Sequence, residues 1–209
     1  MSFTVGLDIG QTSDPTALAA VEDAGGDPSV YHLRHVERFE LGTPYPTIVE
    51  DVARLLGTDE LDGADLVVDA TGVGRPIVEM LEEEGLDPIS IWITGGDSVT
   101  EDEEKREFRV PKRELASTVQ ALLQSGRLKF AEGLPFRDVV VDELQKFRAK
   151  ININTGEATF EHWRERDTDD VVLALACALW HAENASVEGG VLFVDGGSPN
   201  GETSLSDGL

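Results

Sequence analysis

Apolar residues recur along this chain with two spacings, close to two and close to three or four, which mark strands and helices. Phe3 to Ile9 reads as a buried strand with Asp8 among Val5, Leu7 and Ile9. Thr16 to Glu22 and Ser29 to Glu40 read as two more strands, joined by the turn Gly25-Gly26-Asp27-Pro28. The three form an antiparallel meander. Pro46 to Leu56 carries Ile48, Val49, Val52, Leu55 and Leu56 at helical spacing, with Thr43 or Thr47 as cap. Ala64 to Asp69 is a buried strand, Gly74 to Glu84 a helix and Pro88 to Ile93 a strand. Strands that alternate with helices pair in parallel, so the fold class is α/β.

The second half is less regular. Gly95 to Glu107 is dense in acids and reads as a mobile loop. Lys112 to Gln124 is a helix stopped by Ser125-Gly126, Arg127 to Phe130 a short strand, and Pro135 to Phe147 a helix. Lys150 to Phe160 reads as a hairpin turning at Asn154-Thr155-Gly156. Thr168 to Asn184 is the last helix. One domain is expected over residues 1–184. Residues 185–209 form an acidic, Gly- and Ser-rich tail without Lys or Arg, read as disordered, although Val191 to Val194 has the makings of a strand.

Composition changes this picture in two ways. The single cysteine, Cys177, excludes an internal disulfide and suits a reducing compartment. No secretory signal or membrane span is read; the longest apolar run, Val171 to Trp180, is too short to cross a bilayer. The net charge of −24 argues, by itself, against a polyanionic partner. The acids are, however, spread along the whole chain, and Lys is scarcer than Arg. That is the balance of a halophilic protein, whose repulsions are screened within about 3 Å at molar salt. A DNA partner therefore stays open.

Three aspartate positions carry the candidate chemistry. Asp8 lies on the first strand, Asp69 closes the strand Leu66-Val67-Val68, and Asp169-Asp170 opens a strongly apolar helix. An Asp at a helix start is ordinarily a cap, and one at a strand end often just begins a loop. Asp8 is harder to explain so, because a carboxylate on a central strand is costly to bury without a partner. Hard divalent cations prefer such oxygen ligands.

In order and spacing the chain resembles the ribonuclease H-like superfamily, and more closely the nuclease domain of viral (phage-type) terminase large subunits. The segments that carry the resemblance are Val5-Gly6-Leu7-Asp8-Ile9-Gly10-Gln11 with Asp14, and Leu66-Val67-Val68-Asp69-Ala70-Thr71-Gly72-Val73-Gly74-Arg75-Pro76. Arg109-Val110-Pro111-Lys112-Arg113-Glu114-Leu115, Leu123-Gln124-Ser125-Gly126-Arg127-Leu128 and Asp169-Asp170-Val171-Val172-Leu173-Ala174-Leu175-Ala176 complete it. It implies a central five-stranded mixed sheet flanked by helices. It implies two divalent cations, Mg²⁺ or Mn²⁺, held by Asp8, Asp69 and Asp170, with Asp169 assisting or capping. Some relatives carry the last carboxylate one turn later, where this chain has Leu173.

The implied activity is endonucleolytic hydrolysis of double-stranded DNA during viral genome packaging, in the cytoplasm of the host cell. The implied partners are a packaging ATPase motor, a terminase small subunit and a portal. No G-x-x-x-x-G-K-[ST] phosphate loop occurs, so the motor would belong to another chain or another part of the protein. The candidate DNA contacts are Arg75, Lys112, Arg113, Lys146 and Arg148; for most of them ion pairing with the many acids is an equal reading. The histidines show no zinc spacing, and His162 beside Trp163 reads as packing. A Holliday-junction resolvase and a non-catalytic binding module are the alternatives. An actin-like ATPase or sugar kinase would need a second domain.

Overall fold

The computed structural model describes residues 2–11, 14–72, 75–152 and 169–185. The hairpin turn at 154–156, His162, Gly74 and the acidic tail beyond residue 185 lie outside them. The chain opens with β1 (Ser2–Asp8), β2 (Ala17–Gly26) and β3 (Ser29–Arg38), paired antiparallel as expected. Then follow α1 (Tyr45–Leu56), β4 (Asp65–Asp69), α2 (Arg75–Glu83) and β5 (Ile89–Thr94). The second half contains β6 (Thr100–Asp102), β7 (Glu107–Pro111), α3 (Lys112–Gln124) and β8 (Leu128–Phe130). It closes with α4 (Arg137–Asn152) and α5 (Asp170–Ala185).

The strands form one mixed sheet in the order β6-β7-β5-β4-β1-β2-β3-β8. The five-stranded core, β3-β2-β1-β4-β5, is the one expected, but three further strands extend it to eight. β8 pairs in parallel with β3. β7 pairs in parallel with β5, and β6 runs antiparallel to β7. Thus the segment read as a mobile loop holds β6 and the start of β7. Its acids hide the alternation of Phe108 and Val110, which is only two residues long. α4 also runs to Asn152, so Lys150 begins no hairpin; it continues the helix.

Alternation along the strands splits the interior into two cores. Val5, Leu7, Leu18, Ala20, Leu66 and Val68 face α1 and α2, meeting Ile48, Val52, Ile77 and Leu81. Ala17, Ala19, Val21, Leu33, Val67 and Ile91 face the other way, with Leu115, Val119 and Val140. α5 lies between this second face and the helices α3 and α4. It is apolar on nearly all sides, as a helix surrounded by protein must be: Val171, Val172, Ala174, Leu175, Ala176, Ala178 and Leu179 are buried. Gly6 lets it approach. A Cβ there would stand 1.9 Å from the Ala174 carbonyl oxygen, so the helix backbone rests directly on β1.

Candidate active site

Asp8 and Asp69 are the last residues of β1 and β4. These strands are parallel neighbours, and Asp8 registers with Asp69. Registered residues on adjacent strands project to the same face, about 4.8 Å apart along the hydrogen-bond direction. That face is the one under α5, because Gly6 and Asp8 share a side of β1. The same row continues outward: Asp8 registers with Ala17, and Ala17 with Arg38, while Asp69 registers with Ile91. The row therefore carries two carboxylates near the middle of the sheet and a guanidinium two strands away.

α5 supplies the remaining acids. Its axis runs back along β1 from Asp170, past Ala174 over Gly6. The Asp169 carbonyl accepts the first helical hydrogen bond, from Leu173 N–H at 2.9 Å, so Asp169 is the cap and Asp170 the first helical residue. Asp170 is 5% exposed, and Arg38 Nη2 donates to its Oδ2 at 3.0 Å. Burial pushes the Asp170 carboxyl above its ordinary value, against the pull of Arg38. Asp69 is 1% exposed, and its Oδ1 accepts the Thr71 N–H at 2.8 Å. Thr71 Oγ1 in turn accepts the Ile93 N–H at 2.7 Å, which ties the loop after β4 to β5. The buried Cys177 thiol feels both strand aspartates: burial first, then the charges of Asp69 and Asp8, hold it well above its ordinary value.

Two residues absent from the sequence reading join this cluster. Arg38 ends β3 and continues the inward face of Val36. Glu143 lies on α4, 2% exposed, where its Oε2 accepts the Val172 N–H at 3.0 Å. Burial pushes the Glu143 carboxyl up to about 7; the Val172 hydrogen bond and Arg38 oppose this, and the charges of Asp170 and Asp169 add to it. A signal for Glu143 exists in the sequence. It falls on the stripe of Val140 and Leu144, at helical spacing, where an apolar residue is expected.

The basic residues divide differently. Arg75 begins α2 and Lys112 begins α3, directly after the parallel strands β4 and β7. Both thus stand at the carboxyl edge of the sheet, where Asp8 and Asp69 also end; in open α/β sheets this edge is the binding edge. Arg75 is ion-paired with Glu107 and Arg113 with Asp97, at 2.6 Å for the latter. Lys146 pairs with Asp142 at 2.7 Å, and Arg148 lies in the last turns of α4. For Arg75, Arg113 and Lys146 the local ion-pair reading holds in this structure. His32 stands beside Glu22, and His181 beside Asp65 at 3.3 Å, away from the aspartate row.

Among the described residues, no three His, Cys, Asp or Glu side chains stand so as to hold an ion. Asp170 turns to Arg38 instead. The donor set nonetheless fits a hard cation. It consists of carboxylate oxygens from β1, β4 and α5, and beside it Glu143 Oε1 is buried with no hydrogen-bond partner among the described residues. No described helix is long and apolar enough to cross a membrane.

No family model and no curated protein matches the chain. Solved structures do. The large terminase nuclease of thermophilic phage G20c superposes with a TM-score of 0.52 at 20% identity, over 85% of this chain and 80% of that one. The human cytomegalovirus terminase nuclease domain, soaked with Mn and bound to an inhibitor, superposes with a TM-score of 0.54 at 13% identity, covering 87% and 82%. RuvC of Thermus thermophilus gives 0.45 at 14% identity, covering 88% and 94%. At such identities the likeness is one of fold.

Proposed function

We propose that this chain, which has the ribonuclease H-like fold of terminase nuclease domains, is a metal-dependent endonuclease that cuts double-stranded DNA during viral genome packaging. The observation that carries the reading is the registered pair Asp8–Asp69 at the carboxyl edge of the sheet, beneath the helix that begins Asp169-Asp170. Two bound Mg²⁺ or Mn²⁺ ions about 4 Å apart would supply an activated water and a neutralised leaving oxygen. Asp8 and Asp69 would hold them from the sheet and Asp170 from the helix. Arg38 keeps the Asp170 charge compensated until it is used. Asp169, as the cap, fixes where the helix starts.

Lys112, Arg113 and Arg75 flank that edge and are the proposed contacts to the DNA backbone, with Lys146 and Arg148 further along α4. Their competing acids make binding by this domain weak and dependent on what holds the DNA. A packaging motor, a small subunit and a portal, as the resemblance implies, would fill that role in a host-cell cytoplasm. The test is cleavage of supercoiled plasmid in Mn²⁺, beside a four-way junction and with ATP added. Nicked and linear plasmid without sequence preference or ATP requirement is expected. Cleavage confined to the junction would make the protein a resolvase, and no cleavage of either would remove the nuclease reading.

A further inference from the structure

Glu143 is placed where a carboxylate is a costly choice. Its side chain is 2% exposed, and it reaches from α4 to the first turn of α5, where Oε2 accepts the Val172 N–H. Its other oxygen, Oε1, has no hydrogen-bond partner among the described residues. Arg38 Nε, on the residue that holds Asp170, is likewise buried without one. Buried polar atoms are rarely left so. A glutamine would accept the same Val172 hydrogen bond and bring a donor, not a further negative charge, beside Asp169 and Asp170. For pinning a helix, the amide is the better residue. Arg38 already brings one positive charge to the cluster, and Asp170 takes it; an acid at 143 is favoured where a further positive charge comes.

We propose that Glu143 is a positioning residue of the carboxylate site: one oxygen pins the start of α5, and the other receives the hydration shell of the cation that Asp170 binds. This rests on the metal-dependent reading above. Outer carboxylates of this kind change metal affinity by about 10- to 100-fold when removed. The helix-pinning half of the role survives in Glu143→Gln, and the charge does not, so the variant separates the two.

The experiment uses the full 209-residue chain and follows free Mn²⁺ by electron paramagnetic resonance, with melting of the metal-free protein measured alongside. Glu143→Gln is expected to bind Mn²⁺ about tenfold more weakly than the unmodified protein, with a metal-free melting temperature equal or higher. Equal Mn²⁺ affinity would overturn the inference. A fall in metal-free melting temperature, or failure to fold, would overturn it too, since the acid would then be structural. Asp8→Asn separates the two levels of the argument. If the unmodified protein binds Mn²⁺ no better than Asp8→Asn, the metal reading falls and this inference with it. If Asp8→Asn loses binding while Glu143→Gln keeps it, the inference alone falls.

Discussion

Asp169 and Asp170 are neighbours in the chain with unlike surroundings. Asp170 is buried and held by Arg38, while Asp169 is half-buried at the cap position. Asp170→Asn should therefore reduce plasmid nicking by on the order of 10²-fold or more, and Asp169→Asn far less. The opposite ranking in initial rates would assign the ligand to the cap. Glu143 makes a pH prediction. Its carboxyl rises from the ordinary 4.5 to about 7 in the folded protein. An acid raised on folding contributes its stability below the unfolded value, and loses it as pH climbs through the folded one. The metal-free protein should thus lose on the order of 3 kcal/mol through this group between about pH 4.5 and pH 7. Glu143→Gln lacks that loss, so its melting temperature should gain on the unmodified protein from pH 5 to pH 8. A gap independent of pH would contradict the assignment.

At the scale of elements, the site depends on how closely α5 lies on β1. Gly6→Val would drive a side chain into the Ala174 carbonyl. The helix would have to lift, and Asp170 with it. A loss of roughly 3 kcal/mol in chemical unfolding, with nicking reduced beyond what the stability loss explains, is expected; a variant as stable as the parent would show that the packing yields easily. The elements that could be read from sequence are those whose pattern is long: the β1–β3 meander, β4 and α5, and so Asp8, Asp69 and the Asp pair. β7 was hidden by its two-residue alternation in an acidic run. Arg38 and Glu143 reach the cluster through tertiary packing of β3 and α4 around α5, and no spacing in the sequence links residue 38 or 143 to residue 170. Arg75, a candidate DNA contact from its sequence, begins the helix after β4, but its side chain turns to Glu107.

For the molecule as a whole, the charge of −24 is the dominant fact outside the site. Like charges spread over one small domain destabilise the compact state through mutual repulsion. Salt shortens the reach of that repulsion from about 10 Å at 0.1 M to about 3 Å at 1 M. The melting temperature should rise markedly between 0.1 M and 2 M KCl, and DNA cleavage should tolerate that salt better than is usual for a nuclease. A melting temperature that is flat or falls with salt would contradict the halophilic reading of the composition. The same acidity explains why Arg113 and Lys146 are found on acids: any phosphate contact must displace a carboxylate first.

The central claim is that Asp8 exists to bind a cation rather than to hold the fold together. Asparagine keeps its shape and removes its charge. If the claim is right, Asp8→Asn loses Mn²⁺-dependent plasmid cleavage, while the metal-free protein melts at the same temperature or higher. The gain would be on the order of 1 kcal/mol, since repulsion from Asp69 is relieved. A structural Asp8 would leave a partner stranded when replaced and would destabilise the protein. The two readings predict opposite signs from one preparation. Cleavage by Asp8→Asn at the unmodified rate, or a clear drop in its metal-free melting temperature, would contradict the account.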